Sequence, residues 1–155
     1  MIRNNLLLPL LSISLALAAF SCRPEVTKIS FSAISGGEDG TSSSFEMTQD
    51  STTYAYRSFE PFVKETIVRE KTNPASWQKL LQEFDAEAFD RVKSGKSMTY
   101  IDGVDVQITV DMGPEKHKLL NATVSKEQNP AAYKFVHDLE MLAQDFAATT
   151  KTKTK

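Results

Sequence analysis

Apolar and polar positions alternate with two periods along this chain, and the switches between them predict its elements. From Thr27 to Ile34, the apolar Ile29, Phe31 and Ala33 alternate with Lys28, Ser30 and Ser32. A period of two among β-forming side chains predicts a half-buried strand. Ser44 to Gln49 repeats the pattern with Phe45 and Met47 on one face, and Thr52 to Arg57 with Tyr54 and Tyr56 together. The links are short, Ser35-Gly36-Gly37-Glu38-Asp39-Gly40 and Asp50-Ser51, so the strands should follow one another as an antiparallel meander. A further strand is expected around Val63 to Arg69, with Pro61 at its entrance or in a bulge.

The period changes at Asn73-Pro74. Asn is a good N-cap and Pro suits the first helical position. Trp77, Leu80, Leu81, Phe84 and Ala88 then form one stripe, which predicts an unbroken amphipathic helix ending between Phe89 and Val92. Lys93 to Ser97 is a polar loop, Met98 to Ile101 a short strand or loop, and Asp102-Gly103 a turn. Val104, Val106, Ile108, Val110 and Met112 alternate with polar residues without a break, which predicts a central strand. Gly113-Pro114-Glu115 turns the chain. Lys116 to Thr123 returns as a partner strand, with Leu120 and Ala122 expected in the core and Leu119 outside it. Asn129-Pro130 opens a second helix whose Tyr133, Val136, Leu139, Leu142, Ala143 and Phe146 lie close to one face. The expected fold class is α+β: a single antiparallel sheet of about five to six strands, covered on one face by two amphipathic helices. The other face, with Ser30, Ser32, Ser44 and Thr109, is expected to be open.

Ahead of this domain stands Met1 to Cys22. Arg3 gives a positive start, Leu6 to Phe20 an apolar run, and Ala19-Phe20-Ser21 a small-residue exit. That is the layout of a secretory signal peptide. The run is shorter than the roughly 20 residues of a spanning helix and carries Pro9, Ser12 and Ser14. Ala19-Phe20-Ser21-Cys22 resembles the lipobox of bacterial lipoproteins, with Ala19 where Leu is usual. The resemblance implies cleavage between Ser21 and Cys22, a diacylglyceryl group on the Cys22 thiol, and an acylated new amino terminus. Ordinary signal-peptide cleavage is the alternative and leaves a secreted soluble protein. Lipidation is favoured because Cys22 is the only cysteine, so it has no intramolecular disulfide partner. Several acyl chains also anchor stably where one does not.

The chain therefore divides into a signal peptide (1–21), an anchor and tether (22–26), one domain (27–148) and a disordered basic tail (149–155). In lipoproteins of the Bacteroidota, an acidic run after the cysteine can direct outward display. Here the run is Arg23-Pro24-Glu25, and the resemblance implies an outer-membrane lipoprotein facing the periplasm. The order of elements also resembles small uncharacterised lipoproteins of the Bacteroidota, on Trp77, Leu80, Asp102, Gly103 and the alternation from Val104 to Val110. That resemblance brings no known activity.

Composition agrees with one domain. Taking the 21 residues Met1–Ser21 from 155 leaves 134, enough for a core without crosslinks. The 18 Lys+Arg against 20 Asp+Glu give a net charge of −2. Mild acidity argues against nucleic acid as a partner.

Few residues of the chain suggest chemistry. The only histidines are His117 and His137, and no nucleophile, base and orienting group stand out as a triad. His137-Asp138 are adjacent on an expected helix and do not share a face. Asp102-Gly103-Val104-Asp105 lacks the twelve-residue calcium pattern. Gly95-Lys96-Ser97 ends like a phosphate loop, but Asp90 stands where the first Gly belongs. No catalytic, metal or cofactor residue is assigned. The expectation is a lipid-anchored, non-catalytic envelope protein that binds a protein partner or assists assembly. One alternative is a periplasmic hydrolase inhibitor that uses Ser35 to Gly40 as a wedge. The other is a secreted enzyme of unrecognised type, with His117 or His137 as its base.

Overall fold

The computed structural model describes residues 25–37, 40–58 and 63–153. The leader Met1–Ser21, the candidate lipidation residue Cys22, and Glu38, Asp39, Phe59, Pro61 and Phe62 lie outside the described residues. Four strands follow one another: β1 (Val26–Ser35), β2 (Thr41–Met47), β3 (Ser51–Ser58) and β4 (Lys64–Lys71). Three helices follow, α1 (Pro74–Glu83), α2 (Ala86–Asp90) and, after the hairpin β5 (Val104–Met112) and β6 (Glu115–Leu120), α3 (Pro130–Lys153). The strands make one antiparallel sheet in the order β4-β3-β2-β1-β5-β6. The α+β expectation holds, with six strands.

Register explains which face is covered. Ile29 pairs with Met47 on one side and Val110 on the other, and Phe31 with Phe45 and Ile108. Paired residues share a face, so the apolar positions of β1, β2 and β5 form one continuous surface. Trp77, Leu80, Phe89, Phe135 and Leu139 from the helices pack onto it. The opposite face carries Lys28, Ser30 and Ser32 beside Asp111, Thr109 and Gln107.

Four expectations need correction. The first helix is not continuous: Phe84 and Asp85 are extended, and the Asp85 carboxylate accepts from the Ala88 N–H at 2.9 Å as a fresh cap for α2. The break lets the Phe84 and Phe89 rings meet edge to face at 5.5 Å, and both contact Phe135. On β6 the core residue is Leu119, 3% exposed, because it pairs with Ile108, whereas Leu120 pairs with outward Gln107. Asn121 then takes φ 45°, which ends the strand and returns Ala122 to the edge of the core. The expected tail from Thr149 is helical as far as Lys153. Thr150 is only 4% exposed, and its hydroxyl donates to the Phe146 carbonyl at 2.7 Å. A threonine that satisfies its hydroxyl on the preceding turn can be buried like a small apolar residue. Finally, Thr109 is not open to solvent: it is 6% exposed and accepts from the Gln107 amide at 3.2 Å.

Candidate functional site

The two histidines are not brought together. His117, on β6, places Nδ1 2.9 Å from the Asp90 carboxylate and its ring edge to face with Phe84 at 5.8 Å. Its Nε2 is buried without a hydrogen-bond partner, and Glu115 Oε2 lies 3.9 Å away. This dyad ties α2 to the sheet edge. His137 stacks flat on Tyr133 one turn earlier on α3, with ring centres 5.7 Å apart. Among the described residues, no group of three or more His, Cys, Asp or Glu is placed to hold a metal ion.

The Gly95-Lys96-Ser97 stretch is laced into the fold. The Gly95 N–H donates to the Leu120 carbonyl at 2.6 Å, and the Ser97 hydroxyl donates to Asp105. Asp105 also accepts from the Met98 N–H, and these bonds hold its carboxyl below the usual Asp range. The root of the Ser35–Gly40 loop is equally tied. Gly36 donates to the Gly103 carbonyl at 2.9 Å and packs so closely that a Cβ would fall 2.1 Å from the Thr99 carbonyl oxygen. On the polar sheet face Ser30, Ser32 and Ser44 are half-buried, and Lys28 and Lys116 both pair with Asp111 across it.

Concave regions among the described residues include three clefts. A cleft of about 270 Å³ lies between the C-terminal turns of α3 and the β3–β4 end of the sheet. A broad one of about 800 Å³ lies beside α2 and the start of α3 and is mostly loop backbone and polar side chains. The third, about 200 Å³, has apolar side chains at all of its lining positions but Asn121 and Glu140, and holds the candidate site.

That cleft forms where α3 rises over the β5–β6 hairpin. β5 contributes Val106 and Ile108, and β6 contributes Leu119, which the register aligns with Ile108. The left-handed turn at Asn121 bends the chain so that Ala122 and Val124 close one side. Val136 and Glu140, four residues apart and so on one flank of α3, close the other. Asn121 itself is fully engaged: its Oδ1 accepts from the Val106 N–H at 2.7 Å, and its Nδ2 donates to the Lys96 carbonyl and to Asp105, each at 2.8 Å.

Glu140 is the one ionisable lining residue. Burial pushes its carboxyl above the ordinary Glu range, an effect that His137 partly opposes. A carboxyl held against carbon in a concave site is a functional-site candidate on physical grounds. The sequence reading missed it, although a signal was present: Glu140 follows Val136 by one turn, inside the width of the apolar stripe.

No family model matches the chain, and comparison with curated proteins returns no match.

Proposed function

We propose that this chain is a lipid-anchored, non-catalytic binding module of the cell envelope, tethered through Cys22, facing the periplasm from the outer membrane, and using the α3–hairpin cleft as its binding site. Cys22 carries the reading: it is the only cysteine, and it stands at the exit of an apolar leader. Leaving it there unmodified would put a lone reactive thiol on an exported protein.

The fold is compatible with such an anchor. β1 starts at Val26, four residues after Cys22, so the tether spans about 14 Å at most. The Val26 end of the sheet is therefore the bilayer-facing end. Val106 stands six residues along β5 from Met112, the partner of Val26, about 20 Å farther out. Anchored at Cys22, the module holds its cleft clear of the headgroups.

The test is intact-mass analysis of the protein from the membrane fraction, wild type against Cys22→Ser. The expected wild-type species begins at Cys22 and carries the mass of its acyl chains, while the variant is unacylated and leaves the membrane fraction. An unacylated wild-type protein that washes freely out of the envelope overturns the proposal.

A further inference from the structure

We infer that the cleft takes a small primary amine with a compact apolar body, its ammonium on the Glu140 carboxylate and its body against Val106, Ile108 and Leu119. This rests on reading the cleft as a binding site. Its volume is about 200 Å³. A dry cavity of about 150 Å³ accepts benzene, so a six-membered ring with one short arm fits this one.

The polarity of the ligand follows from the donors and acceptors left over. Asn121, the other polar lining residue, spends both amide hydrogens and its oxygen on the Lys96 carbonyl, Asp105 and the Val106 N–H. It has no donor to give a carboxylate or phosphate. An anion would also meet Glu140 head on. Among the described residues, the Glu140 carboxylate makes no hydrogen bond or ion pair with another side chain. The acids at the interface of α3 with α1 are different: Asp138 of α3 is paired with Lys79 at 2.7 Å, and Glu83 of α1 with Lys134 at 2.6 Å. The ionisable neighbour acting on Glu140 is His137, which is exposed on the preceding turn. An incoming ammonium supplies the missing partner and the charge-assisted hydrogen bonds that go with it. The same burial that disfavours a lone carboxylate strengthens its attraction to a cation that displaces the water.

The experiment titrates the full chain, in detergent and with isotope-labelled Ile, Leu and Val methyl groups, with benzylamine, benzyl alcohol and benzoate. The expected result is saturable movement of the Ile108, Leu119 and Val136 methyl signals with benzylamine. Affinity for benzyl alcohol should be at least tenfold weaker, and benzoate should not bind. Glu140→Gln, nearly isosteric, should weaken benzylamine at least tenfold and leave benzyl alcohol unchanged. Ala122→Phe, which fills the cleft, should remove both. Equal binding of amine and alcohol, or a Glu140→Gln variant that still prefers the amine, overturns the amine assignment while leaving the cleft a binding site. Methyl signals that move with none of the three probes overturn the cleft itself, and the amine assignment with it.

Discussion

The two flanks of α3 meet the rest of the molecule in opposite ways. At about 100° per residue, Asp138 and Glu140 stand on opposite sides of the helix. The Asp138 flank is closed. Lys79 of α1 pairs with Asp138, which is 21% exposed, and Lys134 pairs with Glu83, whose side chain is only 6% exposed. Phe135 fills the space beneath with the Phe84 and Phe89 rings, and farther along Phe146 meets Phe45 edge to face at 5.9 Å. On the Glu140 flank, α3 faces the β5–β6 hairpin across an open cleft, and among the described residues Glu140 has no Lys or Arg partner, only His137 acting on it from the preceding turn. A half-buried carboxylate without a Lys or Arg partner costs free energy that a paired one does not.

Breaking the closed flank should have the largest effect. Phe135→Ala removes a fully buried ring from the centre of an aromatic cluster and should destabilise the fold by about 3–5 kcal/mol, read as a shift in the denaturant midpoint. A loss under about 1 kcal/mol would mean that the cluster repacks and the flank is not closed in solution.

Asp138→Asn keeps the shape and removes the charge. Lys79 in the first place, with Glu83 and Lys134 adding to it, holds the Asp138 carboxyl below its ordinary value. A depressed carboxylate contributes stability above the unfolded value, and that contribution disappears as pH falls through the folded one. The variant should therefore lose about 0.5–1 kcal/mol near neutrality. The gap to wild type should close as pH falls through and below the ordinary Asp value of about 3.9. A gap independent of pH would show that the hydrogen bonds matter and the charge does not.

The smallest effect should have the opposite sign. Burial raises the Glu140 carboxyl, so its relative stabilisation is present at low pH and is lost as pH rises through its folded value. Glu140→Gln should then raise the thermal midpoint at neutral pH, by the equivalent of about 0.5 kcal/mol. The gain should vanish in acid. A variant more stable than wild type yet poorer at binding an amine would show the cost of function directly. Destabilisation by Glu140→Gln at neutral pH would erase the contrast between the flanks.

Much of the fold was legible in the residue pattern because it depends on local chemistry. Asn73-Pro74 and Asn129-Pro130 announce their helices by cap chemistry alone, and in both cases the Asn side chain accepts from the first turn. The strand alternation of β1, β2 and β5 is equally local. The failures share one cause. Leu119 and Leu120 are chemically identical, and only pairing to Ile108 rather than Gln107 chooses between them. Phe84 continues a helical stripe perfectly well, yet the helix stops there so that its ring can reach Phe89 and Phe135. Thr150 looks like a tail residue until the β3–β4 end of the sheet supplies a wall to bury it.

By itself, the sequence determined the secondary-structure periods, both helix starts and the α+β class. All of these arise from interactions within a few residues. Only the tertiary structure decided the register of β6, the break between α1 and α2, and that Asp138 would meet Lys79 while Glu140 lined a cleft. Those outcomes depend on what stands across the gap, and neighbours distant in the chain leave no trace in local periodicity.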